Sequence, residues 1–272
     1  MRVIVSHDVD HLRVREHWKD VIIPKMLVRG KYELLRGRIP FGELVRRYTM
    51  ILHGRMEHIE EVMRFDDRMG VRSCFFFGMA NGLGLNYSRE RVAPFIQRVL
   101  ARGFEAGVHG IAFNNEAAMM EEHEAFAAIS GLKEFGIRMH YLRQDARTIA
   151  LVERTGYSFD ATSRTFEDSR RVDGIWEFSV HEMDTWAMCG GSRYQARNTS
   201  DAVAHTMSRF ERAEAMGIGT FNLLFHDVYY TPAFNSWRSW YEQVVRKLAE
   251  RGCTFTTYTE AMRTSEARID PM

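Results

Sequence analysis

Short apolar runs that alternate with longer helical patterns constrain this chain more than any other feature. The runs VIVS (3–6), RSCFFF (72–77), FEAGVH (104–109), IRMHYL (137–142), GYSFDA (156–161), IWEFSV (175–180), FNLLF (221–225) and CTFTTY (253–258) read as strands. Helical periodicity fills about 41–69, 88–102, 115–135, 145–154, 199–216 and 235–251. Strands and helices taking turns in this way predict a parallel sheet with crossover helices. Some eight strands suit a closed barrel, and 272 residues is an ordinary length for one such domain. There is no internal repeat and no low-complexity linker, so one domain over 1–272 is expected.

Composition removes several classes of function. The formal net charge of +1 gives no global attraction to nucleic acid. Cys74, Cys189 and Cys253 are odd in number and far apart, which argues against a disulfide framework and a CxxC metal clip. No apolar run is long enough for a membrane span. The first strand breaks at Ser6, too soon for a signal segment, so the expected location is cytoplasmic.

Residues 13–56 interrupt the first strand-to-helix step. They hold 11 Lys or Arg against 4 Asp or Glu, and Trp18, Ile22, Ile23, Met26 and Leu27 form an apolar stripe. Two readings stay open: a surface for an anionic substrate or a peripheral membrane contact, and a solvated helical excursion packed on the barrel.

Polar groups gather where strands end. His7, Asp8, Asp10 and His11 follow the first strand, and His109 ends FEAGV. His140 and Arg143 lie in and after IRMHYL, Asp184 and Trp186 come after IWEFSV, and His226 and Asp227 follow FNLLF. In a parallel barrel this end is the active-site face. Asp8 and Asp10 are two apart, so both point to one side if the strand geometry runs on. That suits one carboxylate as metal ligand and the other as base, aimed at one water, although a lone Asp-x-Asp also suits loop solvation or helix capping. His109 stands between small neighbours, Gly107 and Gly110, which leaves room for a ligand. His226 is a candidate general acid with Asp184 as its partner. Trp186, Tyr229 and Tyr230 lie near these groups, and packing at the barrel rim is the ordinary fate of such aromatic side chains.

These pieces resemble a family. SHDVDH, GVRSCFFF, FEAGVHG, the MHYLRQD stretch leading to GYSFDAT, EFSVHEMDTW and NLLFHD stand in the order seen in polysaccharide deacetylase-like proteins, the NodB-homology or carbohydrate esterase family 4 enzymes. The DVD branch looks closer than the TFDD branch, and cytoplasmic deacetylases and deformylases of bacterial surface-glycan precursors are the nearest analogy. The resemblance covers nearly the whole chain outside 13–56. It implies a distorted (β/α) barrel of about seven strands and metal-dependent removal of an N-acyl group from an amino sugar.

Carried over by position, Asp8 resembles the general base, and Asp10 and His109 resemble metal ligands. Arg143 resembles the arginine that orients the base. Asp184 resembles the carboxylate that tunes the catalytic histidine, and His226 resembles that histidine. The family's usual second histidine, four residues after the first, is replaced here by Phe113. Asn114, by a one-residue shift, is the candidate third ligand; the same stretch also suits a helix N-cap. His7, His11 and His140 are further donors. His140, Trp186 and Tyr229 are candidate substrate contacts. The implied cofactor is one divalent transition metal, zinc first, with nickel, cobalt or manganese as alternatives. The implied partner is an acylated amino sugar on a nucleotide, lipid or polymer carrier. A non-catalytic glycan-binding relative with a degraded metal site is the alternative. A metal phosphoesterase is disfavoured, because no phosphate-cradling glycine loop is present.

Overall fold

The computed structural model describes residues 1–269. The chain begins with β1 (Arg2–Val9), α1 (Ile22–Leu35), α2 (Phe41–His53) and α3 (Ile59–Met69). Next come β2 (Cys74–Phe77), α4 (Arg89–Ala101), β3 (Glu105–Gly110), α5 (Glu116–Ser130) and β4 (Ile137–Met139). After these lie α6 (Thr148–Arg154), β5 (Phe159–Asp160), β6 (Arg170–Val172), β7 (Ile175–Glu177), β8 (Glu182–Met183) and α7 (Asp184–Cys189). The described chain ends with α8 (Thr199–Ala215), β9 (Thr220–Leu224), α9 (Asn235–Glu250), β10 (Thr254–Phe255) and α10 (Tyr258–Ile269).

The sheet runs β6-β7-β5-β4-β3-β2-β1-β9-β8, with β10 added to the start of β1. Its pairings are parallel except β6 with β7. Among the described residues no pairing joins β6 to β8. The molecule is therefore a single α/β domain with the distorted (β/α) barrel that the resemblance implied, open between β6 and β8 although the strand count also suited a closed one. The strands far from β1 are too short to close it: β5 and β8 have 2 residues each.

Other boundaries moved for local reasons. The helical stretch 41–69 is two helices, because Gly54 takes φ 73 and ends α2. The run 137–142 stops as a strand at Met139, because Tyr141 and Leu142 take φ 58 and 51. For side chains with a Cβ such angles cost about 1–2 kcal/mol each.

Alternation along β1 sorts its side chains. Val3, Val5 and Val9 pack into the layer between sheet and helices. Ile4 points the other way, into the barrel, among Phe76, Phe159, Trp176, Phe178 and Tyr258. The barrel interior is thus filled by aromatic rings, with Tyr258 at the start of α10 packed against Phe76, Phe159 and Phe178. Gly107 on β3 makes room for this packing: a Cβ there would sit 2.7 Å from the Gly136 carbonyl and 2.9 Å from the Phe76 ring.

Asp160 on β5 is buried in this interior. Burial, opposed by a Thr162 hydrogen bond and reinforced by Glu177, pushes its carboxyl up to about 7. A carboxyl raised on folding adds stability below its unfolded value of about 4 and loses it as pH rises through about 7. Asp160→Asn mimics the protonated form. It is expected to raise Tm clearly at about pH 8 and little at about pH 4. Thermal melts showing the same shift at both values would contradict the assignment.

Candidate active site

The site lies at the carboxyl ends of β1, β3 and β4 and in the loops after β8 and β9. Asp8 shares the inward face of β1 with Ile4 and Ser6, and Asp10 follows one step beyond the strand. Asp8 Oδ1 accepts a 2.9 Å hydrogen bond from Arg138 Nη1. Arg138 comes from β4, which pairs His109 with Arg138 in register across β3. Its guanidinium is fully tied: Nε donates to the Ala161 carbonyl at 3.0 Å, Nη2 to the Tyr258 hydroxyl at 2.7 Å, and the group sits 4.4 Å over the Phe76 ring. Burial alone would raise the Asp8 carboxyl, but His109, Arg138 and His226 outweigh it and hold it below the usual range.

Two imidazoles face Asp10. His109 Nδ1 lies 3.0 Å from the Arg138 carbonyl, and His140 Nε2 lies 3.3 Å from the Leu83 carbonyl. A carbonyl only accepts, so those nitrogens carry the protons in the neutral rings. His109 Nε2 and His140 Nδ1 are then bare lone pairs, and they point at each other across 3.0 Å. Asp10 Oδ1 lies 3.2 Å from the first and 3.5 Å from the second, is buried, and has no hydrogen-bond partner among the described residues. Two lone pairs and an orphaned carboxylate oxygen repel one another unless a cation lies between them. The three donor atoms all fall within 4.8 Å of one another. Carbonyl bonds to the outer ring nitrogens fix tautomer and orientation, as they do for metal-ligating histidines. The donor set fits one divalent transition ion.

His226, just after β9, faces the same space. Its Nδ1 lies 2.9 Å from Asp184 Oδ2, and its backbone N–H donates to that oxygen at 2.6 Å. Nε2 stays free toward the donors, 3.8 Å from Asp10 Oδ2. Burial disfavours the imidazolium, but Asp184, Asp10 and Asp8 more than offset it and raise His226 well above the usual histidine range.

A cleft of about 350 Å³ opens over these groups. Its walls include Leu83, Tyr141, Arg164, Trp186 and Tyr229, with Ile22 and Lys25 contributed by α1.

The structure brings together Asp8, Asp10, His109, Asp184 and His226, and it places Trp186 and Tyr229 on the cleft wall. Three expectations differ. Asn114 is exposed and outside the donor cluster, and its neighbour Asn115 caps α5 by accepting from the Ala118 N–H at 3.1 Å. Arg143 does not reach Asp8. It donates to the carbonyls of Ile111 at 2.7 Å and His140 at 3.3 Å and stacks 4.9 Å over Phe113, fastening the two loops behind His109 and His140. His140 sits in the donor cluster rather than only on the substrate wall. Arg138 was missed altogether. The available signal was period two in IRMHYL, which puts Arg138 and His140 on one face just as it does Asp8 and Asp10. His11 lines the cleft as well, and burial pushes its ring down to about 4. His7 faces away, held by the Phe225 carbonyl at 3.0 Å and Asp66 at 3.1 Å.

The chain has the fold of the polysaccharide deacetylases. A probable polysaccharide deacetylase from Pseudomonas aeruginosa superposes with a TM-score of 0.65 at 12% identity, covering 100% of this chain and 92% of that one. Puue allantoinase gives 0.65 at 10% identity, over 96% and 89%. A CE4 family pseudoenzyme from Bacillus anthracis gives 0.52 at 9% identity, over 95% and 64%. No family model matches the sequence, and no curated protein does. One fold thus carries a probable polysaccharide deacetylase, an allantoinase and a pseudoenzyme, so activity has to be argued from the site.

Proposed function

We propose that the protein is a metal-dependent hydrolase that removes an N-acyl group, acetyl or formyl, from an amino sugar. The observation that carries this reading is the pair of facing imidazole lone pairs beside the orphaned Asp10 oxygen, flanked by a carboxylate and an imidazole. Asp10, His109 and His140 would hold one divalent ion, zinc first and nickel, cobalt or manganese next. When bound, that ion polarises an amide carbonyl and brings the pKa of water to about 7. Asp8 takes the proton from the attacking water, and Arg138 fixes the carboxylate that receives it. As the C–N bond breaks, His226 delivers a proton from Nε2 to the leaving nitrogen, while Asp184 holds Nδ1 and the positive charge. The products are a free amino sugar and acetate or formate. Trp186 and Tyr229 offer ring faces to the sugar.

The resemblance in sequence to the DVD branch supports a cytoplasmic role in lipopolysaccharide, O-antigen or other surface-glycan assembly, on a nucleotide-, lipid- or polymer-linked substrate. A glycan-binding protein without activity is the second reading, favoured by the pseudoenzyme among the fold neighbours. Against it stands the pairing of Asp8 with Arg138 and of His226 with Asp184, which binding alone does not need. Mass spectrometry of nucleotide- and lipid-linked N-acetyl and N-formyl amino sugars, incubated with the zinc-loaded protein, separates the two. Loss of the acyl mass is expected. Intact substrates with every one of the four metals would overturn the catalytic reading.

A further inference from the structure

The helical hairpin of α1 and α2 carries apolar side chains on its outer face as well as its inner one. A surface helix normally buries its apolar stripe and shows its charges to water. Here buried charge shares the inward positions with Leu44 and Met50: Arg47 Nη1 donates to Glu33 at 2.5 Å and Nη2 to Glu43 at 2.8 Å, all three side chains being buried. Gly30 lets the helices close around this triad, since a Cβ there would meet Leu44 at 2.8 Å. The outward positions hold apolar residues too. Val28, Tyr32 and Leu35 recur along the exposed side of α1, with Val21 just before it, and Phe41, Val45 and Leu52 along that of α2. Leu35, Leu52, Trp18 and Phe41 are 86%, 85%, 83% and 68% exposed. Of the 11 exposed large hydrophobics among the described residues, 8 lie in 13–56, so the feature belongs to this segment and is not general surface apolarity.

Charge on the same segment is one-sided. Its acids are all engaged: Glu16 with Arg91, Asp20 with His17, and Glu33 and Glu43 with Arg47. Lys19, Lys25, Lys31, Arg36, Arg38 and Arg46 are exposed and make no ion pair among the described residues. Apolar side chains interleaved with unneutralised cations match the interface of an anionic bilayer, where each basic residue near the surface adds attraction. They do not match a twofold contact with a second copy, which would set like charges against each other.

We propose that the α1–α2 hairpin docks the protein on an anionic lipid bilayer. The active-site cleft opens beside that surface. Trp18, Lys19 and Val21 line a trough with Leu83 and Tyr141, and those two also wall the cleft. This inference does not depend on the deacylase reading.

The test is flotation of the full chain with vesicles of phosphatidylcholine, with and without phosphatidylglycerol. Recovery with anionic vesicles is expected to exceed that with neutral ones at least about tenfold and to collapse at about 1 M salt, where the screening length is about 3 Å. Val28→Asp with Leu35→Asp should lower recovery at least about tenfold, because exposed apolar area is lost while buried contacts are untouched. Lys31→Glu with Arg46→Glu, which leaves the apolar stripe intact, should remove the preference for phosphatidylglycerol. Trp18 emission should move to shorter wavelength on binding. Equal recovery with both vesicles, or none, would overturn the proposal. So would a dimer in light scattering that Val28→Asp with Leu35→Asp splits without any flotation of the wild type.

Discussion

His226→Ala is expected to lower kcat for the N-acyl substrate by about 10²- to 10⁴-fold, the usual contribution of a positioned acid or base, with little change in KM. The reason is geometric. Asp184 occupies Nδ1 at 2.9 Å, so the only ring atom able to give a proton to the cleft is Nε2. Without it the amine leaves as an anion. Asp8→Asn should fall by a similar factor, since an amide cannot take a proton from water but keeps the hydrogen bond from Arg138. Metal content should be unchanged in both variants. Steady-state kinetics beside metal analysis checks this, and unchanged turnover in either variant would remove that residue from the mechanism.

His140→Ala is expected to weaken zinc binding more than about a hundredfold, beyond the 10- to 100-fold typical of outer-shell partners. The variant removes one of the two facing lone pairs and leaves His109 and Asp10 as an incomplete set. Asn114→Ala should leave affinity unchanged, because that side chain is exposed and remote from the donors. Equilibrium dialysis of both variants distinguishes the two candidates for the third donor; the reverse order of effects would restore Asn114.

The contrast between His140 and Asn114 shows what the sequence displayed and what it hid. Strand periodicity alone put Asp8 and Asp10 on one face and brought His109 and His226 to strand ends, because these depend on local spacing. The pairing of Asp8 with Arg138 depends on the β3–β4 register, which spans 29 residues between its paired positions and leaves no local trace. Arg143 looked suitable because it follows the strand, but the left-handed turn at Tyr141 and Leu142 sends it behind the site instead of into it. The hairpin hid for a different reason. The stripe at Ile22, Ile23, Met26 and Leu27 is half-buried, as helical spacing suggests, but Val28, Tyr32, Leu35, Phe41, Val45 and Leu52 form a second apolar face that is left exposed. The outline of the barrel survived all this, since the alternation of strands and helices is a property of composition along the chain. Its closure did not, since the lengths of β5 and β8 are set by neighbours.

The central claim is that Asp10, His109 and His140 hold one transition ion between a base and an acid. Cobalt(II) titration of the metal-free wild-type chain, followed by visible absorption and by native mass spectrometry, tests it most directly. The account predicts saturation at one equivalent per chain, with absorption from mixed nitrogen and oxygen ligation that disappears in His140→Ala. A chain that binds no cobalt, or binds it equally well after His140→Ala, would contradict it.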